Sequence, residues 1–199
     1  MPSVITDNTV APDLTCLRCL LIGCSDNPTS GDLGLVPSVT LFHDNMGNLV
    51  AAADLNFLSA IHYAVEICKV ESIIICGHHG CRSISAGIEK PQSALVTSWL
   101  RPIVELANRY RNLLEGIPAE RQRLNALCEL NVIEQTAAVC RIPVVEIVRQ
   151  TSDGLSVRGI VLDGTDLPVA ECDFLIRPGE SIRARTDEAI LEFRRRWRL

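Results

Sequence analysis

The sequence predicts an α/β fold: a single domain with a mostly parallel β-sheet flanked by helices. Three observations carry this. Two short apolar runs, Cys19-Leu20-Leu21-Ile22-Gly23 and Ile73-Ile74-Ile75-Cys76-Gly77, each close on glycine and read as strands buried on both faces. Between them Leu55, Leu58, Ile61, Val65 and Cys68 recur at helical spacing. The chain has 199 residues and is 47% hydrophobic, enough for one sizeable core.

The elements follow in order. Residues 1–16 form a lead-in, residues 17–180 the main domain, and residues 181–199 a basic amphipathic helix. The first strand spans about 17–23, and a loop rich in Gly, Pro and Ser runs from Ser25 to Pro37. Val39 to Phe42 is a second strand, 54–69 a helix, and about 72–76 a third strand. Residues 93–115 make one or two helices, with Pro102 interrupting them or opening the second. Residues 119–140 make another helix, ended before Pro143. Val144 to Val148 reads as a strand, as does Ser156 to Leu162. After a turn at Asp163-Gly164-Thr165-Asp166, Val169 to Ile176 reads as a further strand or arm. In the tail, Thr186 caps, acids follow and arginines close, which suits the helix dipole. Ile190, Phe193 and Trp197 share one face, so this helix docks with its basic side solvated.

Charge and composition exclude several classes. The net charge is −5, which argues against nucleic acid as a main partner, although seven of the 17 arginines lie after residue 176. No apolar run has membrane-spanning length, so no membrane association is expected. Met1 to Asn8 lacks the basic-then-apolar order of a secretory signal. Of nine cysteines, Cys19, Cys68, Cys76, Cys128 and Cys140 lie inside apolar or helical patterns and read as buried free thiols. That usage suits a cytoplasmic protein.

Cys24, His78 and Cys81 stand apart. Cys24 lies just past the first strand, and His78 and Cys81 follow the third with His-x-x-Cys spacing. The carboxyl ends of parallel strands are where open α/β sheets place ligands. Two thiolates and an imidazole are good zinc ligands, and three protein ligands leave one position open for chemistry. His-x-x-Cys alone is a weak motif. Joined to Cys24-Ser25-Asp26 after another strand, it becomes specific.

These motifs resemble the β-class carbonic anhydrases. That family has Cys-x-Asp-x-Arg after its first strand and Gly-His-x-x-Cys-Gly after a later one. This chain has Gly23-Cys24-Ser25-Asp26-Asn27-Pro28 and Gly77-His78-His79-Gly80-Cys81-Arg82. Phe42-His43-Asp44-Asn45-Met46-Gly47-Asn48-Leu49-Val50, Ser59 to Val65, Asn131 to Gln135 and Val157 to Asp163 also resemble family segments, so the likeness covers about residues 19–165. The resemblance implies a zinc lyase that reversibly hydrates carbon dioxide to bicarbonate, with Zn2+ on Cys24, His78 and Cys81. It also implies a homodimer or higher homo-oligomer.

The pattern departs from the family at three positions. The family arginine two places after Asp26 is Pro28, and the arginine of the family's His-Arg-Asn is Asp44. Without its arginine, Asp26 is expected to become a fourth metal ligand, giving a closed Cys-Asp-His-Cys site with weak or gated activity. Arg82, standing where the family usually has glycine, offers a substitute cation for Asp26. The alternatives are a zinc hydrolase of carbonyl sulfide or carbon disulfide, and a non-catalytic zinc-stabilised binding or regulatory homologue. His79 reads either as a proton shuttle or as a rim histidine without a role, and His43 and His62 as structural.

Overall fold

The computed structural model describes residues 17–26, 35, 37–89, 93–151, 154–163 and 173–199. The expected lead-in, most of the 25–37 loop with Pro28, the turn after Asp163 and residues 169–172 lie outside the described residues.

Strand β1 (Cys19–Cys24) is an interior strand and fully buried. It pairs in parallel with β2 (Thr40–Asn45) on one side and β3 (Ser72–His78) on the other. β3 pairs in parallel with β4 (Ser156–Leu162), and β5 (Phe174–Ile176) adds antiparallel to β4. The order is β2-β1-β3-β4-β5. Alternation along the strands divides the core. Leu20, Ile22, Ile73, Ile75 and Val157 pack with Phe57, Ile61 and Leu100 in the main cluster, while Cys19, Leu21, Ile74, Cys76, Ile160 and Leu162 form a second.

Helix α1 (Leu55–His62) starts at Asp54, whose carboxylate accepts from the Asn56 N–H. It continues as a π-helical turn, Tyr63–Cys68, closed by Lys69 at φ 57°. α2 (Arg82–Glu89) follows the third strand directly. α3 (Ala94–Arg109) runs straight through Pro102, and α4 (Arg111–Glu115) follows. Pro102 therefore neither interrupts the segment nor opens its second helix; the break falls at Tyr110. α5 (Glu120–Val139) crosses β3 and β4.

Two further sequence expectations are corrected. Residues 144–148 are not a strand but the body of α6 (Pro143–Arg149). Proline at the first helical position fixes a helical φ, Glu146 sits in the first turn and Arg149 in the last, and these outweigh the β-branched valines. The last helix, α7 (Ile182–Trp197), is capped by Ser181, whose hydroxyl accepts from the Ala184 N–H. Thr186 lies one turn inside it and donates to the Ile182 carbonyl. The docking face is as expected: Phe193 is fully buried, with Ile190 and Trp197 packed against the core.

Candidate metal centre

The sheet order brings the candidate site together. β1 and β3 are neighbours, so their carboxyl ends emerge side by side, with Cys24 closing β1 and His78 closing β3. The third strand thus runs two residues past its apolar core and includes His78. Gly80, at φ +69°, turns the chain so that Cys81 falls back toward the strands just before α2. Gly77 lets α5 close over β3: a Cβ there would stand 2.4 Å from Val132 Cγ2.

Cys24, His78 and Cys81 are all buried, and one ligand atom from each lies within 4.8 Å of the others. The two sulfurs are 3.6 Å apart. Two thiolates on one tetrahedral zinc stand ~3.8 Å apart at ordinary Zn–S lengths. His78 Nδ1 lies 3.1 Å from the His79 carbonyl. A carbonyl only accepts, so Nδ1 carries the proton and Nε2 presents a lone pair. That Nε2 is buried and has no hydrogen-bond partner. An orphaned acceptor is costly in a core and is what a metal ligand requires. By chemistry and spacing, the donor set fits zinc.

Hydrogen bonding from the Cys81 thiol, reinforced by the nearby His78 and by the Asp26 and Gly47 backbone N–H groups, pulls Cys24 well below the usual thiol value against the opposing effect of burial. The same pairing, with burial, pushes Cys81 up. Burial alone would lower His78, but the adjacent Cys24 thiolate outweighs it and raises the imidazole. The Gly47 N–H donates to Cys24 Sγ at 3.3 Å.

Asp26 lies at the rim of this cluster, its side chain 10% exposed. Arg82 Nε donates to its Oδ1 at 2.5 Å, and the Arg82 backbone N–H to its Oδ2 at 2.6 Å. Asp26 Oδ2 remains 3.9 Å from His78 Nε2. A cavity of about 310 Å3 opens here, lined by Ser25, Asp26, Met46, Arg82, Ser83 and Ala86. The structure thus brings Cys24, Asp26, His78, Cys81 and Arg82 into one place.

A family model described as carbonic anhydrase matches residues 19–166. The chain belongs to the β-class carbonic anhydrase family. Carbonic anhydrase of Emericella nidulans is 36% identical over 129 residues, which are 64% of this chain and 57% of that relative. The chain therefore spans little more than half of that relative's length. Among solved structures, a tetrameric β-carbonic anhydrase of Sordaria macrospora superposes with a TM-score of 0.72 at 27% identity, covering 78% of this chain and 81% of that one. The Coccomyxa β-carbonic anhydrase in complex with acetazolamide gives 0.70 at 30% identity, with coverages of 77% and 71%.

Within this β-carbonic anhydrase fold, the other histidines have separate settings. His43 packs edge-on against Phe57, with centroids 5.5 Å apart. His62 is exposed beside Glu66. His79 Nε2 meets Glu129, a contact that sequence reading missed. The signal was present: Glu129 and Asn131 interrupt the run Leu127-Cys128-Glu129-Leu130-Asn131-Val132-Ile133, and both are buried. Asn131 Nδ2 donates to the Gly47 carbonyl at 2.9 Å, which holds the loop whose N–H serves Cys24.

Proposed function

We propose that this chain is a zinc-dependent carbonic anhydrase that reversibly hydrates carbon dioxide to bicarbonate, with Cys24, His78 and Cys81 as metal ligands. The observation that carries the reading is the orphaned, buried Nε2 of His78 beside two thiols, with Asp26 already engaged by Arg82. Zinc held by these residues supplies Lewis-acid activation of water near neutral pH.

The remaining work falls to the chain. Arg82 takes the place of the family arginine and holds Asp26 away from the ligand cluster through two donors. Held there, Asp26 would serve as a hydrogen-bond acceptor for water at the site. Met46 and Ala86 give the cavity an apolar side suited to a small neutral molecule. Arg82, 83% exposed at the mouth, favours the anionic product. The Gly47 N–H favours the thiolate form of Cys24.

The family match and the tetrameric Sordaria relative support a homo-oligomer. Light scattering on the purified protein is expected to give a mass at or above a dimer. The free, buried cysteines favour a cytoplasmic setting. Among the described residues, no helix is long and apolar enough to cross a membrane.

Metal analysis and stopped-flow hydration of wild type and Cys81→Ala test the proposal. Wild type is expected to carry one zinc per chain and to hydrate carbon dioxide with inhibition by acetazolamide. Cys81→Ala is expected to lose both metal and activity. Equal zinc in the two proteins would overturn the ligand assignment, and zinc without hydration would overturn the activity.

A further inference from the structure

Glu129 is a carboxylate 2% exposed inside α5, flanked by apolar residues. A buried charge is costly, and an apolar residue of similar volume is often as stable there. Among the described residues, this carboxylate accepts from the N–H groups of three side chains in other elements. His79 Nε2 is 3.0 Å from Oε1. Oε2 accepts from Arg196 Nε at 3.1 Å, Arg196 Nη2 at 2.8 Å and Trp197 Nε1 at 2.9 Å. Glu129 therefore joins the last turn of α7 to the residue that follows His78.

His79 is held at three points. Its backbone N–H donates to the Leu162 carbonyl at 2.8 Å, and its ring meets Glu129. Its own carbonyl accepts the Nδ1 proton of His78, the bond that leaves His78 Nε2 as an acceptor. We propose that Glu129 is a positioning residue for the metal centre, and that Arg196 and Trp197 complete it, so that the docked carboxyl-terminal helix sets how firmly His78 holds its ligand atom. The proposal rests on the metal assignment above. α7 docks through the buried Ala189 and Phe193 and through Arg185, whose Nε donates to the Leu175 carbonyl; its last turn adds a polar latch to the site. Groups that orient a metal-bound histidine commonly contribute about 10- to 100-fold in metal affinity.

The test is zinc release from the full chain into excess chelator, for wild type, Glu129→Gln and the double variant Arg196→Leu/Trp197→Phe. Val145→Ala, in the core of α6 and away from the latch, controls for loss of stability. Release is expected to be about 10-fold faster in both latch variants, partly recovered by Arg196→Lys, and unchanged in the control. If Glu129→Gln fails to fold, the double variant on α7 carries the measurement. Release at the wild-type rate, or accelerated equally by the control at matched stability, would overturn the proposal. Histidine nitrogen NMR on the metal-free protein provides a second readout. The latch variants are expected to mix the His78 tautomers, and an unchanged Nδ1–H form would overturn the proposal. Should wild type bind no zinc, the metal assignment fails by itself, and the NMR comparison still decides whether the latch orients His78.

Discussion

At the scale of single residues, Arg82 and Asp26 are the informative pair. Arg82 is 83% exposed and Asp26 10%, so the ion pair is screened and contributes little to folding. Its consequence is positional: a carboxylate beside a thiolate-imidazole cluster is a ready fourth ligand unless a donor occupies it. Arg82→Ala is expected to change stability by less than ~1 kcal/mol. Hydration at neutral pH should fall about tenfold or more, the size expected for a lost positioning group. Calorimetry and stopped-flow kinetics on the same samples check both halves. If Arg82 stands in for the family arginine, Pro28→Arg in the Arg82→Ala background should restore part of the lost rate. A double variant no faster than the single one would show that position 28 cannot reach Asp26. The pairing itself was open from sequence, because Asp26 and Arg82 are 56 residues apart and meet only where β1 and β3 lie side by side.

At the scale of elements, close approach and latching decide the outcome. Gly77→Ala would drive a Cβ to 2.4 Å from Val132 Cγ2, forcing α5 away from β3 beside His78. Overpacking of this kind costs ~1–3 kcal/mol, and zinc content should fall with it. Thermal melts and metal analysis of this variant would show it; an unchanged melt with full zinc would mean that α5 yields freely. Glu129 predicts a pH dependence. Burial raises its pKa, but His79, Trp197 and the Arg196 charge outweigh burial and hold it below the usual carboxylate value. A depressed folded-state value means that its stabilisation is complete above about 4.5, the unfolded value, and is lost as pH falls through the lower folded value. Wild type minus Glu129→Gln stability should therefore be flat above pH ~5 and shrink below it. A difference that grows in acid would reverse the sign. The strands and the long helices were legible because their periodicity is local: β1, β3 and α5 lie within a few residues of expectation. α6 was not, because four valines and isoleucines in seven residues mimic a strand and only Pro143 marks the helix start. The convergence of Cys24, His78 and Cys81 was legible from their positions after two strands, whereas the Glu129 contacts join positions 67 and 68 apart, which no local pattern reports.

At the scale of the whole molecule, the proposed ligands come from two strands and the turn after one of them, and they converge only when the sheet is formed. An unfolded chain does not present this trio together, so zinc should bind the native state with strong preference and stabilise it by linkage. At a free zinc concentration 100-fold above the dissociation constant, that stabilisation is ~2.7 kcal/mol. For a domain of this size, ~1 kcal/mol moves the melting temperature by ~2–4 °C. Metal-free protein in reducing buffer is therefore expected to melt about 5–11 °C lower than the zinc-loaded form. The reductant matters because the Cys24 and Cys81 sulfurs are only 3.6 Å apart and an oxidised pair would not take up metal. Cys81→Ala retains the sheet but not the trio, so zinc should leave its melting temperature where it was. Scanning calorimetry with and without zinc on both proteins measures the difference directly. An equal zinc-dependent rise in wild type and Cys81→Ala would place the stabilising metal elsewhere in the chain.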